Sequence, residues 1–336
     1  NPVIGNDGTV IVDLSTYDYV HLNAIKLGWG SASGVIDEIG VHVDGIDYVL
    51  SGSGELNASA QAALVDTKAM VMDATGLTNT EAMELSSANP NCLFLVSDAS
   101  KLSNEKNVLV KGEDGTYACA NLDLESGYSF RTPYSFTVEA ASVKKTVGPN
   151  FGTFVSPFEV AVPESCKAYN LTGVDENNVV TGEETVTVTA NKPVLLAGDG
   201  ECTFEAEDVT VEATPTSLVN GILNGVYEAG ITAPQGSYVL QTQDDVTAFY
   251  NVAEADKQKV TPFTAYLTLP TAGVNAQSLS IGFDNEGTTY VDAAASERTV
   301  TVETVYDLQG RKLGTPTKGV NLLRLSDGSV KKVVIK

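Results

Sequence analysis

Short apolar runs that alternate with polar side chains, cut off by Gly, Pro, Asn and Asp corners, recur along almost all of this 336-residue chain. Successive side chains of a strand point to opposite faces, so a period of two marks half-buried β-strands. The pattern is sharp at the end of the chain. Residues 305–313 read VYDLQGRKL, a Pro/Gly/Lys turn follows, residues 319–325 read GVNLLRL, and a Ser-Asp-Gly-Ser turn leads into residues 330–336. Three short strands and two turns account for this segment. The best helical candidate is residues 58–64, rich in Ala and free of Gly and Pro. The expected class is therefore mainly β, in tandem modules: partial jelly-roll-like strands, a short stacked-strand region, a β-sandwich and a small C-terminal β domain.

A chain of this length suggests two or three domains, and the corner spacing divides it further. Residues 1–54 read as strands at 9–14, 19–27, 35–43 and 47–50, with a flexible connection at 28–34 around the only tryptophan. Residues 55–134 carry short apolar strands at 69–72, 93–96, 108–110 and 120–124. Their corners fall at 76–79, 89–91 and 112–115. Such strands suit either a solenoid-like stack or a meander. Residues 135–272 carry mostly half-buried strands at 135–143, 153–155, 168–171, 184–189, 193–196, 237–240, 248–251 and 265–267, at roughly sandwich spacing, with a hairpin-like signal between 191 and 200. Residues 273–299 are a strand and a linker of small polar residues, and residues 300–336 form the C-terminal unit.

Acidic residues number 43 against 20 basic ones, a net charge of −23. Such a field repels polyanions and anionic membranes, so nucleic acid is not an expected partner. No apolar run approaches the roughly 18 residues of a membrane helix, so no membrane insertion is expected. The charge reads as solubility outside the cell, or more sharply as affinity for divalent cations. The chain starts at Asn1-Pro2 without a leader, and the expectation is that it begins inside, or just after, a larger parent protein. Cys92, Cys119, Cys166 and Cys202 lack metal-ligand spacing and sit in or beside apolar strand patterns. Buried free thiols are expected before disulfides; if bridges form, Cys92–Cys119 and Cys166–Cys202 are the pairings to test.

Catalytic constellations are scarce. The two histidines, His21 and His42, lie in alternating strand patterns, where packed or surface roles outnumber catalytic ones. There is no Gly-x-Ser-x-Gly elbow and no activating motif beside a cysteine. A glycosidase pair of carboxylates has no evident cleft to shift its pKa values. Calcium would find oxygen donors at Asp284, Asn285 and Glu286, or at Asp175 and its neighbours. Neither turn follows the EF-hand spacing, and a solvated acidic turn is the plainer reading. No other cofactor is expected. Trp29 with Tyr17, Tyr19 and Tyr48 offers an aromatic platform for a pyranose face, against the alternative of core packing.

The tail, with its YDLQGR strand, KG turn and closing Lys-Val-Val-x-Lys, closely resembles the C-terminal sorting domains of secreted and surface proteins of the Bacteroidetes that use type IX secretion. The resemblance assigns Tyr306, Asp307, Gly310, Arg311 and Gly319 to the sorting motif and implies an export machinery as partner. Residues 25–34 resemble the closing strands of jelly-roll, carbohydrate-binding-like modules in such proteins. Residues 89–122 resemble the segment that follows their leucine-rich arrays or jelly rolls. The ordered motifs FGTFVSPF, ANKPVLL, GSYVL and PFTAYL resemble an accessory β-sandwich that precedes the tail. Together these imply a secreted or cell-surface location. The function they imply is a non-catalytic accessory or binding region, glycan-binding or adhesive, whose partner is a glycan or a host or cell-surface protein. The alternatives are the C-terminal accessory part of a secreted hydrolase whose catalytic domain is absent here, and a purely structural spacer.

Overall fold

The computed structural model describes residues 3–4, 10–11, 45–52, 68–243, 246–269, 276–283, 302–306, 311–313, 319–325 and 330–335. The mainly β class holds: among the described residues there is no α-helix, and strands make up 51% of the chain. The candidate helix at 58–64 lies outside the described residues. In chain order the strands are β1 (Val3–Ile4), β2 (Val10–Ile11), β3 (Tyr48–Gly52), β4 (Val71–Leu77), β5 (Leu93–Val96), β6 (Val108–Lys111), β7 (Tyr117–Glu125) and β8 (Phe136–Val147). Next come β9 (Phe151–Phe154), β10 (Val160–Ala161), β11 (Lys167–Val174), β12 (Val179–Thr185), β13 (Thr187–Val188), β14 (Val194–Ala197), β15 (Gly200–Val211), β16 (Val219–Asn220) and β17 (Leu223–Val226). The last are β18 (Tyr238–Gln243), β19 (Val246–Asn251), β20 (Thr264–Leu267), β21 (Ser278–Ile281), β22 (Val302–Tyr306), β23 (Lys312–Leu313), β24 (Gly319–Leu325) and β25 (Val330–Ile335).

Seven strands form one sheet in the order β15-β8-β7-β6-β5-β4-β3. Strands β3 to β6 are mutually parallel, so the chain returns to the same end of the sheet after each rung. In β5 every residue is buried, because Leu93 and Leu95 enter one core while Phe94 and Val96 enter another on the opposite face. A continuous apolar run is what a strand covered on both faces requires. Hydrogen bonding continues past the boundary expected at residue 134, since β7 pairs in parallel with β8 along most of its length. Strand β15, about sixty residues downstream of β8, then pairs antiparallel with it.

Three buried asparagines hold the corners of this stack. Asn89 Nδ2 donates to the carbonyls of Ala69 and Ser129. Asn91 Nδ2 donates to Glu125 O (2.9 Å) and Tyr128 O (3.0 Å), and its Oδ1 accepts from Glu125 N (2.7 Å). Asn107, at φ 61°, donates to Pro90 O and Asp123 O and accepts from Asp123 N. Buried backbone groups in irregular corners need such partners, and an asparagine amide offers both donor and acceptor. Asp47 does related work at the start of β4, accepting from Met70 N (2.7 Å), Val71 N (3.0 Å) and Arg131 Nη2 (3.0 Å).

The second sheet has ten strands in the order β16-β17-β20-β18-β19-β21-β12-β11-β14-β9. Its β9, β11 and β14 residues Phe154, Ala168, Val194 and Leu196 share one core with Leu93, Leu95, Leu122 and Val143 of the seven-stranded sheet. The rings of Phe154 and Phe204 stack at 4.3 Å across this seam. The other face carries its own core around Tyr169, Leu195, Phe249 and Leu267. The hairpin-like signal between 191 and 200 does not mark a pairing of β14 with β15, which join different sheets: β14 pairs with β11 and β9, while β15 pairs with β8. The hairpin of β16 and β17 turns at Gly221, with φ 56°, the sign that the first central position of a II′ turn demands. A Cβ there would also overlap the Leu171 carbonyl oxygen. Strands β22 to β25 form a separate four-stranded antiparallel sheet in the order β23-β22-β24-β25.

The asparagine row carries a direct test. Asn91 is fully buried, and Asn91→Ala removes its hydrogen bonds to Glu125 O, Tyr128 O and Glu125 N. We expect a loss of about 3 kcal/mol in unfolding free energy, measured by urea denaturation, with Asn91→Asp at least as harmful because it sets a buried carboxylate oxygen against the Glu125 and Tyr128 carbonyls.

Candidate functional site

The aligned middle strands of the seven-stranded sheet create the site. In β8, Phe136 and Val138 face the core, then Glu139 and Ala140 are both exposed, and Ala141, Val143, Lys145 and Val147 are buried. Neighbouring strands step at the same level, at Ala120–Asn121 in β7 and Glu207–Asp208 in β15, with Asp208 at φ 52°. Registers on either side of the step are unchanged, because each strand adds one residue there. The inward set therefore changes parity, and a lysine lands on the core face at the end of the sheet.

Lys145 is 7% exposed. Its ammonium lies 3.4 Å from Ser126 Oγ, and among the described residues no carboxylate pairs with it. Its neighbour Lys144 points the other way, towards Asp123 at 3.9 Å, which Lys106 also reaches at 2.7 Å. Burial lowers the Lys145 pKa to about 8, since the charged form loses its hydration without gaining a counter-ion.

Lys145 lines a cleft of about 280 Å³ where the end of β8 and strand β9 meet β18, β19 and residues 258–261. Gln241, Gln258, Lys259, Thr153, Thr242, Thr247, Thr261 and Thr264 line it. A second hollow of about 440 Å³ adjoins it and shares Gln241 and Gln258, adding Gln243, Tyr250, Asn251, Glu254, Lys257 and Gln277. Amides and hydroxyls both donate and accept hydrogen bonds, and the lysines add positive charge on a chain of net charge −23. The arrangement suits a polyhydroxylated ligand bearing an anionic group. The amide and hydroxyl residues here are spread over five segments, and the buried lysine is invisible to simple alternation, so sequence reading missed the cleft.

The residues expected to form sites are placed as follows. Trp29, Tyr17, Tyr19, His21 and His42 lie outside the described residues, as do Asp284, Asn285 and Glu286 and, in the tail, Asp307 and Gly310. Tyr48 opens β3 and packs against the core that contains Met72 and Phe94. Tyr306 ends β22, Gly319 opens β24, and Arg311 is exposed just before β23. Asp175 caps its own turn, accepting from Asn177 N and Val179 N, and these backbone donors hold its carboxyl below the ordinary range. Among the described residues no group of three His, Cys, Asp or Glu side chains is placed to hold a metal. The four cysteines are free and buried.

Lys145 makes stability depend on pH. The gap between its ordinary value of 10.5 and about 8 corresponds to about 3 kcal/mol of preference for the neutral amine. Below pH 8 both folded and unfolded chains carry the charge, and the folded state bears the full cost. Between the two values the unfolded chain holds the extra proton, so stability rises with pH. Burial pushes Tyr117 up to about 12 and raises Tyr227, which reverses the trend once unfolded tyrosines ionise near pH 10. Lys145→Met is expected to stabilise the protein by about 1–3 kcal/mol at pH 7 and to flatten its urea midpoint between about pH 8 and 9.5.

Comparison with models of known protein families, with curated proteins and with solved structures finds no significant match to this chain.

Proposed function

We propose that this chain is a non-catalytic accessory region of an exported cell-surface protein, of the Bacteroidetes kind that its tail resembles, and that it binds a glycan in the Lys145 cleft. The observation that carries the reading is the wall chemistry: amides and threonines with Lys145, Lys257 and Lys259, against one carboxylate, Glu254. Sugar hydroxyls exchange donor and acceptor roles with amides, while a uronate carboxylate or a sulfate ester gives Lys145 the counter-ion it lacks. Phe151 and Tyr250 supply flat apolar area beside these groups. Support for export comes from the tail motif and from its pairing as a four-stranded sheet of its own. The acidic surface suits a protein that stays soluble outside the cell.

Titration calorimetry with a uronic-acid oligosaccharide and with its neutral counterpart tests this reading. The acidic sugar is expected to bind more tightly, with affinity falling as salt is raised and as pH rises above about 8, where the free amine loses its proton. Lys145→Met should weaken binding about tenfold or more, the usual consequence of losing a charge-assisted hydrogen bond. Gln241→Ala should weaken binding to both sugars. Equal binding by Lys145→Met, or binding to neither sugar, rejects the cleft as a glycan site.

A further inference from the structure

Of the two cysteine pairings compatible with the sequence, the structure separates them. Cys92 packs with Phe94 and Val96 in the core on one face of the seven-stranded sheet, whereas Cys119 belongs to the core on the other. A sheet stands between them. Cys166 and Cys202, by contrast, share one core, and burial followed by the neighbouring Cys202 pushes the Cys166 thiol up. Ser165 Oγ lies 3.5 Å from Cys202 Sγ, which keeps the turn before β11 against β15. Gly198 lies close beside the pair, where a Cβ would sit 3.0 Å from Cys166 Cβ and crowd it.

We propose that Cys166 and Cys202 are a redox site that closes to a disulfide and staples the ten-stranded sheet, through β11, to the seven-stranded sheet, through β15. The oxidant is a low-molecular-weight disulfide, RSSR. The Cys166 thiolate attacks one sulfur of RSSR, forming a mixed disulfide and expelling RS⁻, which takes up the proton lost from Cys166. The Cys202 thiolate then attacks the Cys166 sulfur and expels the second RS⁻, again protonated to RSH. Two protein thiols and RSSR thus become one protein disulfide and two RSH, with the two electrons carried off by the small thiols. Cys166 is the entry point, being 8% exposed against 1% for Cys202. Burial pushes the Cys166 thiol up to about 12, so the folded protein holds little thiolate and reacts slowly; the bridge forms fastest while the strands are still assembling. The linkage closes a long loop that joins two sheets, the situation in which a cross-link most restricts the unfolded chain.

The test uses the full chain in two treatments: incubation of the folded protein with oxidised glutathione at pH 8.5, and refolding from denaturant in a glutathione redox buffer. Free thiols are then alkylated and peptides mapped without reduction. The expected result, from refolding at least, is a peptide linking Cys166 to Cys202, two remaining free thiols at Cys92 and Cys119, and a melting temperature about 5–10 °C above that of the reduced protein, lost on adding reductant. Cys166→Ala should keep the reduced protein's melting temperature under both treatments within a few degrees and form no linked peptide. Four alkylated thiols after both treatments, or a link that involves Cys92 or Cys119, overturns the proposal. A Cys166–Cys202 link that leaves the melting temperature unchanged overturns its role as a staple.

Discussion

The contact between the two large sheets is the constraint on which everything else rests. Neither sheet can bury its inner face alone, and the shared core draws aromatic and aliphatic side chains from both, with Phe154 stacked on Phe204 at its centre. A stacked ring pair adds about 0.5–1.5 kcal/mol to the area it buries. More important, it fixes where β9 meets β15. That placement requires β15 to leave β14 immediately and cross to the other sheet, which the chain achieves within residues 198–200. Gly200 at φ 94° permits the abrupt change of direction that a branched side chain would resist.

The same dependence explains why two cores lie back to back across the seven-stranded sheet. Parallel strands without covering helices still need both faces filled, and here loops do the covering on the outer face, around Leu77, Leu85 and Leu102. Loops bring backbone polar groups into dry surroundings, and the asparagine row answers that need residue by residue. Asn89 and Asn91 satisfy groups near residues 125–129, while Asn107 does the same one rung on, at Pro90 and Asp123. The corners are thus held by side-chain amides where a helix would have used its own ladder.

Much of the architecture was legible in the residues. The runs at 93–96 and 108–110 match β5 and β6, and those at 168–171, 248–251 and 265–267 fall within or across β11, β19 and β20, because half-buried strands announce themselves by apolar content. Strand β15 was not read as a strand. Glu201, Glu205, Glu207 and Asp208 on its exposed side lower its apolar content, and its alternation breaks at the aligned step. The hairpin at Gly221 was overlooked although its Asn-Gly pair is a strong local signal. Pairing partners were beyond reach for a physical reason: β8 finds β15 some sixty residues away, and only the seam's three-dimensional fit selects it.

The cleft was hidden by the same step. Extending the phase of Phe136 and Val138 along β8 would bury Lys144 and Thr146 and expose Lys145. The extra residue at Glu139–Ala140 reverses this, and the inserted parity is shared by β7 and β15. Lys145 then stands opposite Cys202 in register, at the end of the seam where β11, β14 and β15 separate. A single backbone irregularity, repeated across three strands, thereby sets an uncompensated amine beside the buried Cys166–Cys202 pair. A step of this kind costs ladder hydrogen bonds in each strand and buries a lysine at an energetic cost, so its presence in all three strands at one level is hard to explain by packing alone. On the glycan-binding reading proposed above, the step opens the end of the seam to a polar ligand rather than sealing it.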